Sequence, residues 1–377
     1  MNLSYGWIGG PHDGSEYLAA AMEEIIASGN AVAPFTIVLP SGNNRQLRCH
    51  AQWRFSGPGD AKVLRWRVLP DNRAPSYLEI WLPEAPGQVE VRLTPPGGTA
   101  SAPIWPDEVV PPQGSPPPVW MVAYTSASPT GSRYVILIAL APTASLDRNA
   151  TIAPSGEWLV TLTNDTASSA THNPFASSDP IDAWIRRNDT PYGYPQRGRQ
   201  SYFDDPAYER YDAAGRPIDV DSGASAVKRD GTLSAIATGS LPVVVGGFRR
   251  GDLTVASYWA GGPAGSTDRE GPEALAVSDD SAALFGVRAA GTLSGSSGAM
   301  DGTSVAAPQV ARWIVRKAGQ GLTPQNPWPP SYRGAVRTKA QNGEAYLPAP
   351  HPSPERGGGG RIVTLPQLGA ERLRTKR

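Results

Sequence analysis

Hydrophobic positions change their period along the chain. Tyr17, Leu18, Ala21, Met22, Ile25 and Ile26 recur at three- and four-residue spacing, one face of an amphipathic helix. Asp13 and Glu16 precede that face as a capping box, and Gly29 follows where a helix C-terminus would place it. On either side stand Met1–Tyr5 and Pro34–Leu39, apolar and without alternation, as expected of strands covered on both faces. Strand, crossover helix and strand predict a βαβ unit with a parallel sheet.

From about residue 46 the period falls to two. Leu47, Cys49, Ala51, Trp53 and Phe55 alternate with Gln46, Arg48, His50, Gln52 and Arg54. The alternation returns at Leu64/Trp66/Val68, Leu78/Ile80/Leu82 and Val89/Val91/Leu93, and apolar runs follow at Val119–Tyr124, Tyr134–Ala141 and Trp158–Thr163. These runs, separated by Pro and Gly turns, predict an antiparallel β-sandwich inserted at 46–188, with Pro103–Pro118 as a long surface loop. Residues 189–228 lack periodicity and are expected to form an irregular connection. Buried-strand character resumes at Leu241–Gly246 and Leu253–Tyr258, and a glycine- and serine-rich approach, Gly291–Gly298, leads into a helix ending near Ala318–Gly321. The fold class is therefore α/β: a doubly wound, mostly parallel sheet in two parts, 1–45 and 229–322, interrupted by the sandwich. A Pro/Gly-rich tail, 323–377, is expected to be weakly ordered.

Composition narrows the function classes. Lys+Arg and Asp+Glu are both 34, so the chain is no globally basic nucleic-acid binder. The single cysteine, Cys49, excludes an intramolecular disulfide and any cysteine-rich metal site. No apolar run approaches the ~20 residues of a membrane span. No basic region followed by an apolar run opens the sequence, so no signal peptide is visible and the compartment is unassigned. Asp219, Asp221 and the pair Asp204/Asp205 supply oxygens that could ligate a structural calcium, although acidic loops are more often solvated. No other cofactor is indicated.

The chemically informative segment is Gly302-Thr303-Ser304-Val305-Ala306-Ala307-Pro308. Small residues lead into a serine where a helix starts, and Pro308 is expected in the first turn, where its missing N–H would have no partner. A hydroxyl there lies beside unpaired backbone N–H groups and the positive end of the helix dipole, which together can hold an oxyanion. Taken alone, a serine at this position is more often a helix cap.

The full string resembles the nucleophile motif of the subtilisin-like serine peptidases, Gly-Thr-Ser-Met-Ala-Ala-Pro-His-Val-Ala, departing from it at Val305 and Gln309. Two upstream segments resemble the same family in the same order. Asn2-Leu3-Ser4-Tyr5-Gly6 is similar to the strand that pairs with bound peptide, and Pro40-Ser41-Gly42-Asn43 to the turn whose asparagine donates to the oxyanion. Val255–Pro263 resembles a further family segment, and the likeness covers about residues 1–45 and 235–318. It implies a serine endopeptidase working through an acyl-enzyme on Ser304, with Asn43 in the oxyanion hole. Ser4, Tyr5, Gly6, Ser41, Gly42 and Thr303 would line the substrate, a peptide or protein.

The family's Asp and His precede the Asn-Met-Ser strand, at which this sequence begins. None of His12, His50, His172 and His351 fits the family's His-Gly-Thr helix, and each is expected to be an ordinary surface histidine. Serine without a general base is a poor nucleophile. The chain alone is thus expected to be inactive, a fragment whose Asp and His come from an upstream segment or a separate chain. The alternatives are one half of a split protease and a catalytically inactive peptide-binding protein. No nucleic-acid or membrane partner is expected.

Overall fold

The structure, a computed structural model, describes residues 1–30, 35–82, 89–104, 119–126, 133–164, 180–190, 195–262, 269–281, 286–318 and 332–343. His172, Pro263, His351 and the tail beyond residue 343 lie outside the described residues, as does most of Pro103–Pro118. In chain order the elements are α1 (Tyr17–Asn30), β1 (Val38–Pro40), β2 (His50–Trp53), β3 (Ala61–Val68), β4 (Ser76–Leu82), β5 (Val89–Thr94), β6 (Trp120–Ser126), β7 (Tyr134–Leu140), β8 (Gly156–Asn164) and β9 (Ile181–Ile185). They continue with β10 (Tyr202–Phe203), β11 (Val227–Lys228), β12 (Val243–Arg249), β13 (Ala274–Asp279), β14 (Val287–Ala290), β15 (Ser297–Met300), α2 (Thr303–Ala318) and α3 (Tyr332–Gly343). Among the described residues no helix is long and apolar enough to cross a membrane.

The chain divides into two compact units. The first, residues 1–6, 12–46 and 230–377, is built on a parallel sheet in the order β1-β12-β13. Residues 1–3 run alongside β1: Leu3 N–H donates to the Val38 carbonyl and Val38 N–H to that of Met1, at 3.0 and 2.9 Å. The strand expected at Pro34–Leu39 is shorter than its apolar run, because regular pairing begins at Val38. Helix α2 packs Ala306, Ala307, Val310 and Ile314 against Val38, Val243, Val245, Ala274 and Ala276. Alanines at the contact let the helix axis approach the sheet closely, which matters because the helix starts at Ser304's turn.

Helix α1 buries Ala19, Met22 and Ile26, whereas Tyr17 and Ile25 are exposed. Its expected capping box is replaced by a simpler device. The Glu16 carboxylate accepts from Leu18 and Ala19 N–H at 2.8 and 3.0 Å, and Asp13 turns back to Ser15. A buried ion pair holds the opposite end of the sheet: Arg269 donates to Glu273, whose carboxylate also accepts from Val244 N–H and Arg333. Burial alone would raise the Glu273 carboxyl, but the two guanidinium charges outweigh it and hold it below the usual carboxylate range.

The second unit, residues 7–11 and 47–229, holds two antiparallel sheets, β10-β3-β8-β5 and β11-β2-β9-β4-β7-β6. Their apolar faces share one core that includes Trp66, Trp158, Ile80 and Trp184. Each sheet is closed at one edge by a two-residue strand, β10 or β11, drawn from the segment with no sequence period. Short edges of this kind leave little backbone for unwanted pairing.

His50 and His12 correct the expectation of surface histidines: both are buried, at 2% and 0% exposure. Alternation along β2 assigns His50 to a polar face, but β2 is an inner strand, flanked by β9 and β11. Its polar face is closed by Asp182 at 3.0 Å from Nε2, by a stacked Trp184 ring at 5.0 Å, and by Arg133, which reaches the other Asp182 oxygen. Burial works to raise the Asp182 carboxyl. The His50 hydrogen bond, the Arg133 charge and a bond from Gln52 overcome that and hold it low.

Candidate functional site

The parallel sheet brings three loop ends together at the start of α2. Gly302 turns the chain with φ +110°, a left-handed conformation open to glycine, and α2 begins at Thr303. Ser304 is therefore the second residue of the helix, half-buried. Its Oγ and its N–H make no hydrogen bond among the described residues.

The turn after β1 locks onto this helix start. Asn43 Oδ1 accepts from both Thr303 N–H and Thr303 Oγ–H at 3.0 Å, and Thr303 Oγ1 accepts from Gly42 N–H at 3.2 Å. Because two donors face Oδ1, the amide orientation is fixed by electrostatics, and Nδ2 is left as a donor. That nitrogen lies beside Gly302, where a Cβ would come within 2.8 Å of it. Thr303 is fully buried, and Ser41, also at 0% exposure, is engaged through its backbone. Its N–H donates to the Val245 carbonyl and its carbonyl accepts from Ser234 N–H.

Ser4 joins the same cluster from residues 1–6. Its Oγ–H donates to the Ser304 carbonyl at 3.0 Å and accepts from Asn2 Nδ2 at 3.0 Å. The reason this carbonyl is available lies four residues on. With α2 starting at Thr303, Pro308 sits beyond the first turn, contrary to the sequence expectation, and the N–H it lacks is the one that would bond the Ser304 carbonyl. The Ser4 hydroxyl takes that place. Ser4, Tyr5 and Gly6 are themselves exposed.

The arrangement gathers a hydroxyl and two donors, Ser304 N–H and Asn43 Nδ2, that have no other partner among the described residues, at the positive end of a 16-residue helix. Such donors stabilise negative charge developing on an oxygen held between them.

No protein-family model matches this chain, and no curated protein matches it. Among solved structures, its fold is similar to that of the Clostridium perfringens CspB protease, with a TM-score of 0.63 at 17% identity. The chain has the fold of a protease. The likeness covers 96% of this chain and 64% of the other, so the chain spans under two thirds of that protease's length.

Three supporting residues have roles that the sequence did not assign, although Tyr258 and Gln309 lie in segments it singled out. Tyr258 Oη accepts from Gly302 N–H at 3.0 Å and lies 3.0 Å from Ser278 Oγ, so it braces the glycine turn from β13. Burial pushes its phenol up to about 12, which keeps it neutral at every ordinary pH. Gln309 donates to the Val277 and Val305 carbonyls, tying α2 to β13. Ser234 lies against Gly6 and Gly42, a placement that only the closed chain reveals.

Three of the four acidic residues put forward for calcium have other partners. Asp204 pairs with Arg67 and Arg48, Asp205 accepts from Ser225, Ala226 and Ala207, and Asp221 accepts from Arg229 N–H. Among the described residues no group of three or more His, Cys, Asp or Glu side chains could hold a metal ion.

Proposed function

We propose that this chain is the nucleophile-bearing part of a subtilisin-like serine endopeptidase. Ser304 Oγ attacks a peptide carbonyl, and Ser304 N–H and Asn43 Nδ2 receive the oxyanion. The exposed Ser4–Gly6 edge holds the peptide by strand addition, with Gly42 on the opposite wall and the buried Ser41 and Thr303 supporting it from behind. The observation that carries this reading is the Asn43 side chain. Its oxygen is consumed by Thr303, the neighbour of Ser304, so its nitrogen is left as a donor beside a serine whose hydroxyl makes no bond among the described residues. The doubly wound architecture, with an inserted sandwich, is part of the same proposal, and the protease fold supports it.

Among the described residues no histidine bonds Ser304, so the general base and its orienting Asp are proposed to come from residues outside this set, on an upstream segment or a separate chain. Peptide hydrolysis by the chain alone is accordingly expected to be absent. A fluorophosphonate probe on the chain extended by, or mixed with, the segment that supplies the Asp and His, followed by peptide mapping, tests the nucleophile. Labelling on Ser304, abolished in Ser304→Ala, is expected; labelling that survives this substitution would sink the assignment.

A second reading, a catalytically inactive peptide-binding protein, is favoured by the exposure of Ser4–Gly6 together with a serine that lacks a base. It predicts peptide binding with no phosphonylation of Ser304 under any condition.

A further inference from the structure

Asn43 and Ser304 offer their donors from two different loops, and the segment Tyr258–Ala260 touches both. Its backbone brackets the turn that carries Asn43. Ala260 N–H donates to the Gly42 carbonyl at 2.8 Å, and Arg45 N–H donates to the Tyr258 carbonyl at 3.2 Å. The Tyr258 side chain meets the other loop, where Oη accepts from Gly302 N–H at 3.0 Å. Between these two residues Trp259 is fully buried, in one core cluster with Phe248, Leu275 and Val277. A close-packed indole leaves the segment little room to shift.

The hydroxyl is placed to act in both directions. Tyr258 Oη lies 3.2 Å from the Ser278 carbonyl and 3.0 Å from Ser278 Oγ, so its proton goes to Ser278 and its lone pair is left for Gly302. Gly302 N–H is shared, because the Ser278 carbonyl also accepts from it at 3.1 Å. Without the phenol oxygen the glycine keeps one partner and the fold survives. What is lost is the tie between the Gly302 turn and the segment that brackets Asn43. That tie bears on the site because a Cβ at Gly302 would stand 2.8 Å from Asn43 Nδ2, so the two loops meet at the donor itself.

We infer that Tyr258 is a positioning residue for the oxyanion donors. With its carbonyl it holds the Asn43 turn and with its hydroxyl the Gly302 turn, and so it sets Asn43 Nδ2 against Ser304 N–H. It touches no reacting atom and acts through Asn43. This rests on the proposed use of those donors in the Ser304 chemistry. Donors fixed in advance stabilise charge that develops only in the transition state, so the contribution belongs to the rate of reaction and not to binding. Burial, with the Asp279 and Asp301 charges, pushes the phenol up to about 12, which keeps the hydroxyl both donor and acceptor at neutral pH.

The test measures Ser304 labelling by a peptidyl fluorophosphonate at rising concentration, on the chain extended by, or mixed with, the segment that supplies the Asp and His. Tyr258→Phe is expected to lower the maximal rate about tenfold, less than the 10²–10³ lost with a donor removed outright. The half-saturating concentration should stay within about twofold. In an Asn43→Asp background the same substitution is expected to cost less than about twofold, because the donor it positions is already gone. A second measurement uses the chain alone. In isotope-labelled protein the Asn43 side-chain amide resonance, identified by its loss in Asn43→Asp, is expected to move in Tyr258→Phe, while the melting temperature at neutral pH stays nearly unchanged. An unchanged maximal rate, an equal loss in both backgrounds, or an unmoved Asn43 resonance would overturn the role of Tyr258 while leaving Ser304 as nucleophile. Failure of the unmodified protein to label Ser304 would overturn the nucleophile assignment, and the role of Tyr258 with it.

Discussion

At Gly302 the chain turns with a positive φ, and the space where a side chain would stand belongs to the Asn43 amide. Gly302→Ala is therefore expected both to strain the backbone and to displace the donor, lowering Ser304 phosphonylation in the protein complemented with its base by about 100-fold, the usual effect of misplacing a reacting group by an ångström. Asn43→Asp keeps the oxygen that accepts from Thr303 and loses only the Nδ2 donor, and a loss of at least about 10²–10³ is expected. The two are separated by circular dichroism melts, which only the glycine variant should shift much. Cys49 gives a contrasting residue-scale case. It is buried, and desolvation together with the Asp189 charge raises its thiol to about 12. It should resist iodoacetamide at pH 8 until the chain is unfolded, and rapid alkylation of the folded protein would contradict this placement.

At the scale of elements, α2 is a helix whose first turn is completed from outside. Pro308 denies the Ser304 carbonyl its helical partner and Ser4 supplies the bond instead. A double-mutant cycle isolates that relation. Ser4→Ala is expected to cost about 1 kcal/mol in the native background, where it orphans a carbonyl. In the Pro308→Ala background, where an N–H is restored, the cost should fall toward zero. Equal costs in both backgrounds would show that the Ser4 bond does not compensate the proline. Urea melts provide the measurement.

The same scale shows what was legible in the sequence. The helix periods of α1, the alternation of β3, β4 and β5, and the three short strings around Ser4, Asn43 and Ser304 could all be read, because each is a local pattern. His50 misled, since alternation reports which side of a strand a residue occupies and says nothing of what covers that side. Its cover, Asp182, lies 132 residues away. The roles of Ser234 and Tyr258 were hidden for a similar reason: a serine in a loop and a tyrosine at the end of an apolar run acquire them only when β1, β13 and residues 1–6 close around them.

Over the whole molecule, pH acts on each unit through buried ionisable groups. Asp182 in one unit and Glu273 in the other are held below their ordinary values, so each contributes stability that is complete above the unfolded carboxylate range and is lost as pH falls through the lower folded value. Tyr258 works at the other extreme. Its phenol is raised from about 10 to about 12, so its contribution is complete below about pH 10 and disappears as pH climbs through 12. Thermal melts across pH are expected to fall at both ends, and Tyr258→Phe should flatten only the alkaline fall. An alkaline limb unchanged in Tyr258→Phe would remove this tyrosine as its cause.

The most direct test of the account is a crystal structure of the chain, joined to or complexed with the segment that supplies its base, after reaction with diisopropyl fluorophosphate. The expected electron density joins phosphorus to Ser304 Oγ, with a phosphoryl oxygen about 2.7–3.1 Å from both Asn43 Nδ2 and Ser304 N. An unmodified Ser304, or an adduct whose oxygen points away from Asn43, would contradict it.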